Sequence, residues 1–261
     1  MLIAGRAHFE PDLSRPPFVR SWNADNPLPT RVIRSLRAFR AQSLLTKPPP
    51  WVSTAAAGCA FNFCDHIRRL CADVAACCAG FRHIDVSRLL FTVTQARSHR
   101  LHGLQARVTP LRFRGGSLVR HRSGTRYQVQ RYFVGNEEML YVVGFCLPRF
   151  LDQDFDDKLI TLFHELYHIS PDFDGDLRRH HGRYSVHSHS KRNYDRHMAD
   201  LARAYLGNGA NTALSDFLRL NFSQLEQCHG KVVGVVVPRP KLIPLPAKRA
   251  GAVVAPSDQS G

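Results

Sequence analysis

Three observations predict an α+β fold for this chain. Apolar residues recur at helical spacing in Asn62 to Ala79, Leu159 to Ile169, Arg192 to Leu206 and Thr212 to Gln227. Apolar, β-branched runs lie at Arg88 to Ala96, Arg126 to Val134, Met139 to Cys146 and Val232 to Val237. The order is helix, strands, then helices with a closing strand, which suits a small sheet packed on a helix better than an alternating parallel fold.

The first helix carries Cys64, Cys71 and Cys78 every seven residues, interleaved with Phe63, Ile67, Leu70 and Val74. Five of the seven cysteines (with Cys59 and Cys77) fall in this stretch, yet no CxxC pair is present, so they read as small apolar packing residues. Arg88 to Ala96 (RLLFTVTQA) reads as a strand. Arg126 to Val134 alternates polar and apolar, and Gly135-Asn136 separates it from Met139 to Cys146, which predicts an antiparallel pair. Tyr194, Met198, Leu201 and Tyr205 share one side of the helix that Gly207-Asn208-Gly209 ends, and Leu214, Phe217, Leu218 and Leu225 are the apolar set of the next one.

These elements fall within residues 58–237. Residues 1–57 are rich in Pro and Arg and read as a flexible basic extension. Within it Arg31 to Leu45 is a candidate short amphipathic helix. Residues 238–261 hold five prolines and read as an extended tail. At 261 residues and 44% apolar composition the chain suffices for one domain. No run approaches the roughly 18 apolar residues of a membrane span, and the N-terminus lacks a secretory signal pattern, so the expected setting is the cytoplasm. The net charge of +15 permits weak, non-specific, salt-sensitive binding to nucleic acid. Oligomeric state is not legible.

The chemistry is concentrated in LFHELYHIS, Leu162 to Ser170, where His164, Glu165 and His168 form HExxH. One helical turn brings residues i and i+4 to the same face, so both imidazoles can reach one Zn²⁺ while Glu165 lies beside them as a base. Asp156 and Asp157 suit the N-cap and first turn, Leu159, Leu162, Phe163, Leu166 and Ile169 give an apolar side, and Ser170-Pro171 stops the helix. This is the arrangement of a zinc metallopeptidase acting on a peptide or protein substrate. A catalytic zinc wants a third protein ligand. His180, His181, His187, His189 and His197 are candidates, with Asp172, Asp174 and Asp176 nearer; the aspartates serve equally to cap the turn around Gly175. Tyr184, Tyr194 and Arg183 are candidate stabilisers of the developing oxyanion.

The runs HELYHISPDFDGDLRR (His164 to Arg179), GRYSVHSHS (Gly182 to Ser190) and YDRHM (Tyr194 to Met198) resemble the phage metallopeptidase family, small HExxH proteins of phages, prophages and bacteria. QARSHRLHGLQARVTPLRF (Gln95 to Phe113, followed by Gly115-Gly116) is similar to the block preceding that family's motif helix, and PRPKLIPL (Pro238 to Leu245) to its ending. The resemblance covers residues 65 to 246. It implies a minimal zincin-like domain, a zinc on His164 and His168, Glu165 as general base, and His187 as third ligand; His180, His181 and His189 depart from the family pattern and keep that position open. Two other readings stand beside it. One is a DNA-associated, SprT-like protease; the other is a non-enzymatic phage-derived module whose zinc is structural.

Overall fold

The computed structural model describes residues 18–23, 60–96, 102–134, 136–179 and 191–245. The protein is a mixed α+β structure of small sheets and several helices. Its first strand, β1 (Phe18–Asn23), is followed after a long interval by β2 (Phe61–Asn62) and helix α1 (Phe63–Cys77). Asn62 ends β2 and caps α1, its side chain accepting from the Asp65 N–H at 3.3 Å. The stripe Phe63, Cys64, Ile67, Leu70, Cys71 and Val74 is fully buried, so Cys64 and Cys71 pack in the core. Burial pushes the Cys64 thiol up to about 12, which removes it from thiolate chemistry. Cys78 is half-buried and Cys77 exposed; Cys59 lies outside the described residues.

The central sheet has the order β3 (Leu89–Gln95), β9 (Tyr141–Leu147), β4 (Ala106–Pro110), with β9 parallel to β3 and antiparallel to β4. β9, paired on both sides, is nearly wholly buried, and β3 and β4 are the edge strands of this sheet. A second sheet is formed by β1, β10 (Lys231–Val236) and β2. It crosses the first closely: a Cβ at Gly234 would lie 2.6 Å from both Val93 methyls. The third sheet joins β5 (Val119–Arg122), β6 (Thr125–Val129) and β11 (Leu242–Leu245), and β7 (Tyr132–Val134) pairs with β8 (Glu137–Met139).

Helix α2 (Phe155–Tyr167) carries the HExxH motif and lies between β4 and helix α3 (Lys191–Gly207). Its N-cap is Asp154 rather than Asp156; Asp156 and Asp157 occupy the first turn, where their charge favours the helix. The chain then runs through α4 (Thr212–Ser215), a 3₁₀ turn (Asp216–Arg219) and α5 (Phe222–His229).

Two expectations of local structure change. The anticipated helix from Thr212 to Gln227 is broken. The Lys158 ammonium, buried on α2, donates to the Leu218 and Leu220 carbonyls at 2.8 and 2.9 Å, and a capping box of Asn221 and Gln224 restarts the chain as α5. The anticipated hairpin is smaller: only Tyr132–Val134 and Glu137–Met139 pair, because β9 is taken by β3 and β4 while the Gln130 N–H bonds the Lys241 carbonyl. Strands outside residues 58–237 also pair with strands inside that range. Phe18–Asn23 pairs with β10 and buries Trp22 completely against the Phe222 ring, and Leu242–Leu245 pairs with β6. The candidate helix Arg31 to Leu45 lies outside the described residues. Among the described residues no helix is long and apolar enough to cross a membrane.

Candidate metal centre

His164 sits in the last turn of α2, and His168 is its C-cap residue, still in helical conformation. Their imidazoles are adjacent, ring centroids 4.6 Å apart and planes at 80°. Two imidazoles on one zinc at about 2.0–2.1 Å place their centroids roughly 5 Å apart, so the pair fits a shared divalent cation. His168 is fixed from behind: its carbonyl accepts from the Arg178 N–H at 2.7 Å, and its own N–H donates to the Glu165 carbonyl at 3.2 Å.

Glu165 is buried, and its Oε2 accepts a 2.7 Å hydrogen bond from the backbone N–H of Val108 on β4. That amide is on the open side of the edge strand, away from β9. Oε1 has no hydrogen-bonding partner among the described residues. Burial pushes the Glu165 carboxyl up to about 7, against the opposing pull of the Val108 amide and the Arg107 guanidinium. A carboxyl poised near neutrality can both take and return a proton.

Tyr194, on α3, is buried against the motif. Its ring centroid is 4.8 Å from that of His164 and 6.1 Å from that of His168, stacked nearly parallel to the latter. Burial raises its phenol above the ordinary range, so the hydroxyl stays protonated and able to donate. Tyr167 completes this aromatic wall, 5.7 Å from Tyr194, with the Arg178 guanidinium 4.1 Å over its ring.

The turn after the motif returns the chain beneath α2. Gly175, at φ +88°, has no room for a side chain, since a Cβ there would meet Arg112 Cγ at 2.5 Å. Tyr141 locks the turn: its hydroxyl donates to the Asp176 carbonyl at 2.8 Å and accepts from the Gly175 N–H at 3.0 Å. The aspartates take the turn-capping role. Asp174 accepts from the Asp176 N–H at 3.0 Å, and the Asp176 carboxylate binds the Gly115 N–H at 3.1 Å and the Arg179 guanidinium. His197 is exposed and packs on Tyr167, 5.5 Å between ring centroids, three residues after Tyr194 on α3.

His180, His181, His187, His189, Arg183 and Tyr184 all lie outside the described residues. Among the described residues no group of three or more metal-ligating side chains assembles. The structure brings together the rings of His164, His168 and Tyr194, with Glu165 of the same helix bonded to the Val108 amide. The element that sequence reading missed is Val108, whose contribution is a backbone amide and leaves no side-chain signature. Lys158 carries a weak signal, as the lone cation on the apolar stripe of α2.

No family model matches the chain, and neither the curated proteins nor the solved structures contain a significant match to it.

Proposed function

We propose that the chain is a zinc-dependent metallopeptidase with a minimal zincin-like domain, related to the phage metallopeptidases. The observation that carries this reading is the adjacency of the His164 and His168 rings beside a buried, near-neutral carboxyl tethered to an edge strand. His164 and His168 would hold the zinc, which would supply Lewis acidity toward a peptide carbonyl and a water. His187 is the favoured third ligand.

Glu165 is the general base. With Oε2 bonded to Val108, Oε1 is left to take a proton from water and return it to the leaving amine. Tyr194, protonated and beside both imidazoles, is placed to donate to developing negative charge on the substrate oxygen. Apart from the Val108 amide, which Glu165 occupies, the open side of β4 offers an extended peptide a strand to pair with.

One contact favours a structural-zinc module as second reading: the Val108–Glu165 bond gives the carboxylate a role in holding β4 to α2 without any chemistry. Purified protein assayed for zinc by elemental analysis and for casein cleavage separates the two. A peptidase contains one zinc per chain and loses cleavage, but not zinc, in Glu165→Gln. Zinc without cleavage in the wild type selects the structural module, and absence of zinc defeats both.

A further inference from the structure

Between Val86 and Asn136 the chain has ten arginines and not one Asp or Glu. Part of that stretch forms β5 and β6, joined by a tight turn with positive φ at Ser123 (47°) and Gly124 (75°). β11 pairs along the other side of β6 and ends opposite Arg126. No residue from Arg114 to Arg131 is buried, and none of β11 is. In this three-stranded sheet β6 is half-buried while Arg120, His121 and Arg122 of β5 are exposed, so the sheet forms a solvent-facing arm. At its base, Val129 packs on the small cluster of Leu90, Leu111, Tyr132, Met139 and Val142.

The cations of this arm stand on both faces. Strand alternation and the pairing register place Arg120, Arg122 and Tyr127 on one face, and His121 and Arg126 on the other. None of Arg120, Arg122, Arg126 or Lys241 has a carboxylate within ion-pair distance among the described residues. At the base of the same arm the contrast is plain: Arg112 and Arg131 both grip Glu138.

We infer that the β5–β6–β11 arm is a binding surface for duplex DNA, with Arg120 and Arg122 on one face and Arg126 on the other contacting phosphates on the two walls of a groove. The two-faced distribution decides the partner. A membrane or another flat anionic surface would be met by cations on one face only. A B-form major groove admits a two-stranded β-ribbon, here the β5–β6 hairpin, and presents phosphates on both sides of it, whereas the major groove of duplex RNA is too deep and narrow. This surface is independent of the HExxH site and does not rest on the peptidase reading.

The test is fluorescence anisotropy of the full chain with a labelled 20-base-pair DNA duplex over a series of salt concentrations. The triple variant Arg120→Ala/Arg122→Ala/Arg126→Ala is compared with a charge-matched control, Arg69→Ala/Arg82→Ala/Arg203→Ala. Loss of three phosphate contacts should weaken binding at least about tenfold and flatten the log–log salt slope by about 2–3. The control should stay within about twofold of wild type. A lysine triple variant at the three arm positions keeps the charge and should keep the slope, so a folding defect in the alanine variant cannot imitate the result. Equal losses in arm and control variants would overturn the inference, as would no binding at low salt. So would equal or tighter binding to a single-stranded oligonucleotide, or to vesicles of anionic lipid.

Discussion

Glu165→Gln should stabilise the metal-free protein at the pH where the base would work. Burial lifts this carboxyl from 4.5 to about 7. The folded state therefore holds a proton that the unfolded chain has released throughout the window from 4.5 to 7. Stability tied to that proton is fully present below pH 4.5 and is lost as pH rises through 7. At 1.36 kcal/mol per pH unit, the loss is on the order of 2–3 kcal/mol by pH 8. Glutamine has the same shape and keeps an oxygen for the Val108 amide, yet never ionises, so it escapes the loss. Urea denaturation in the presence of a chelator should give wild type and variant similar midpoints near pH 4.5–5. At pH 8 the variant should be about 2–3 kcal/mol more stable, or about 5–10 °C higher in melting temperature. Wild-type and variant stabilities running parallel from pH 5 to pH 8 would refute the claim that Glu165 ionises at a folding cost.

His168→Ala should abolish stoichiometric zinc, read by elemental analysis, and casein cleavage with it, because one of two adjacent ligands is removed. Gly175→Ala forces a side chain onto Arg112 at a positive φ and should lower stability by about 1–3 kcal/mol in urea titration, with loss of activity as the turn beneath His168 shifts. Trp22→Ala removes a fully buried ring from the β1–β10 pair and should cost about 3–5 kcal/mol, a result that would be near zero if residues 1–57 were merely appended to the domain.

The legible parts of this molecule are those governed by local periodicity. The stripe of α1, strand β3, the motif helix and the aromatic side of α3 all follow from spacing that one element imposes on its own residues. Strand partnership was less accessible. Arg126 to Val134 has a strand's alternation, but which strand it joins depends on β9 being captured by β3 from far upstream, a competition with no local trace. The same is true of the break between α4 and α5, which turns on a lysine sixty residues away. Within the site, His164, Glu165 and His168 declare themselves by type and interval. The Val108 amide does not, since every residue has one; only the strand order reveals which amide is left over to hold the base.

The pairing of β1 with β10 sets the order in which a newly made chain can finish itself. Phe18 is opposite Val236, so the strand that buries Trp22 waits roughly 200 residues for its partner, the kind of distant pairing that slows folding. Until β10 leaves the ribosome, a tryptophan and the inner surface of β2 stay exposed while the motif helix is already synthesised. The nascent protein thus passes through a long interval in which its hydrophobic seam is open to chaperones, and the seam closes only after the motif helix and α3 to α5 have been made.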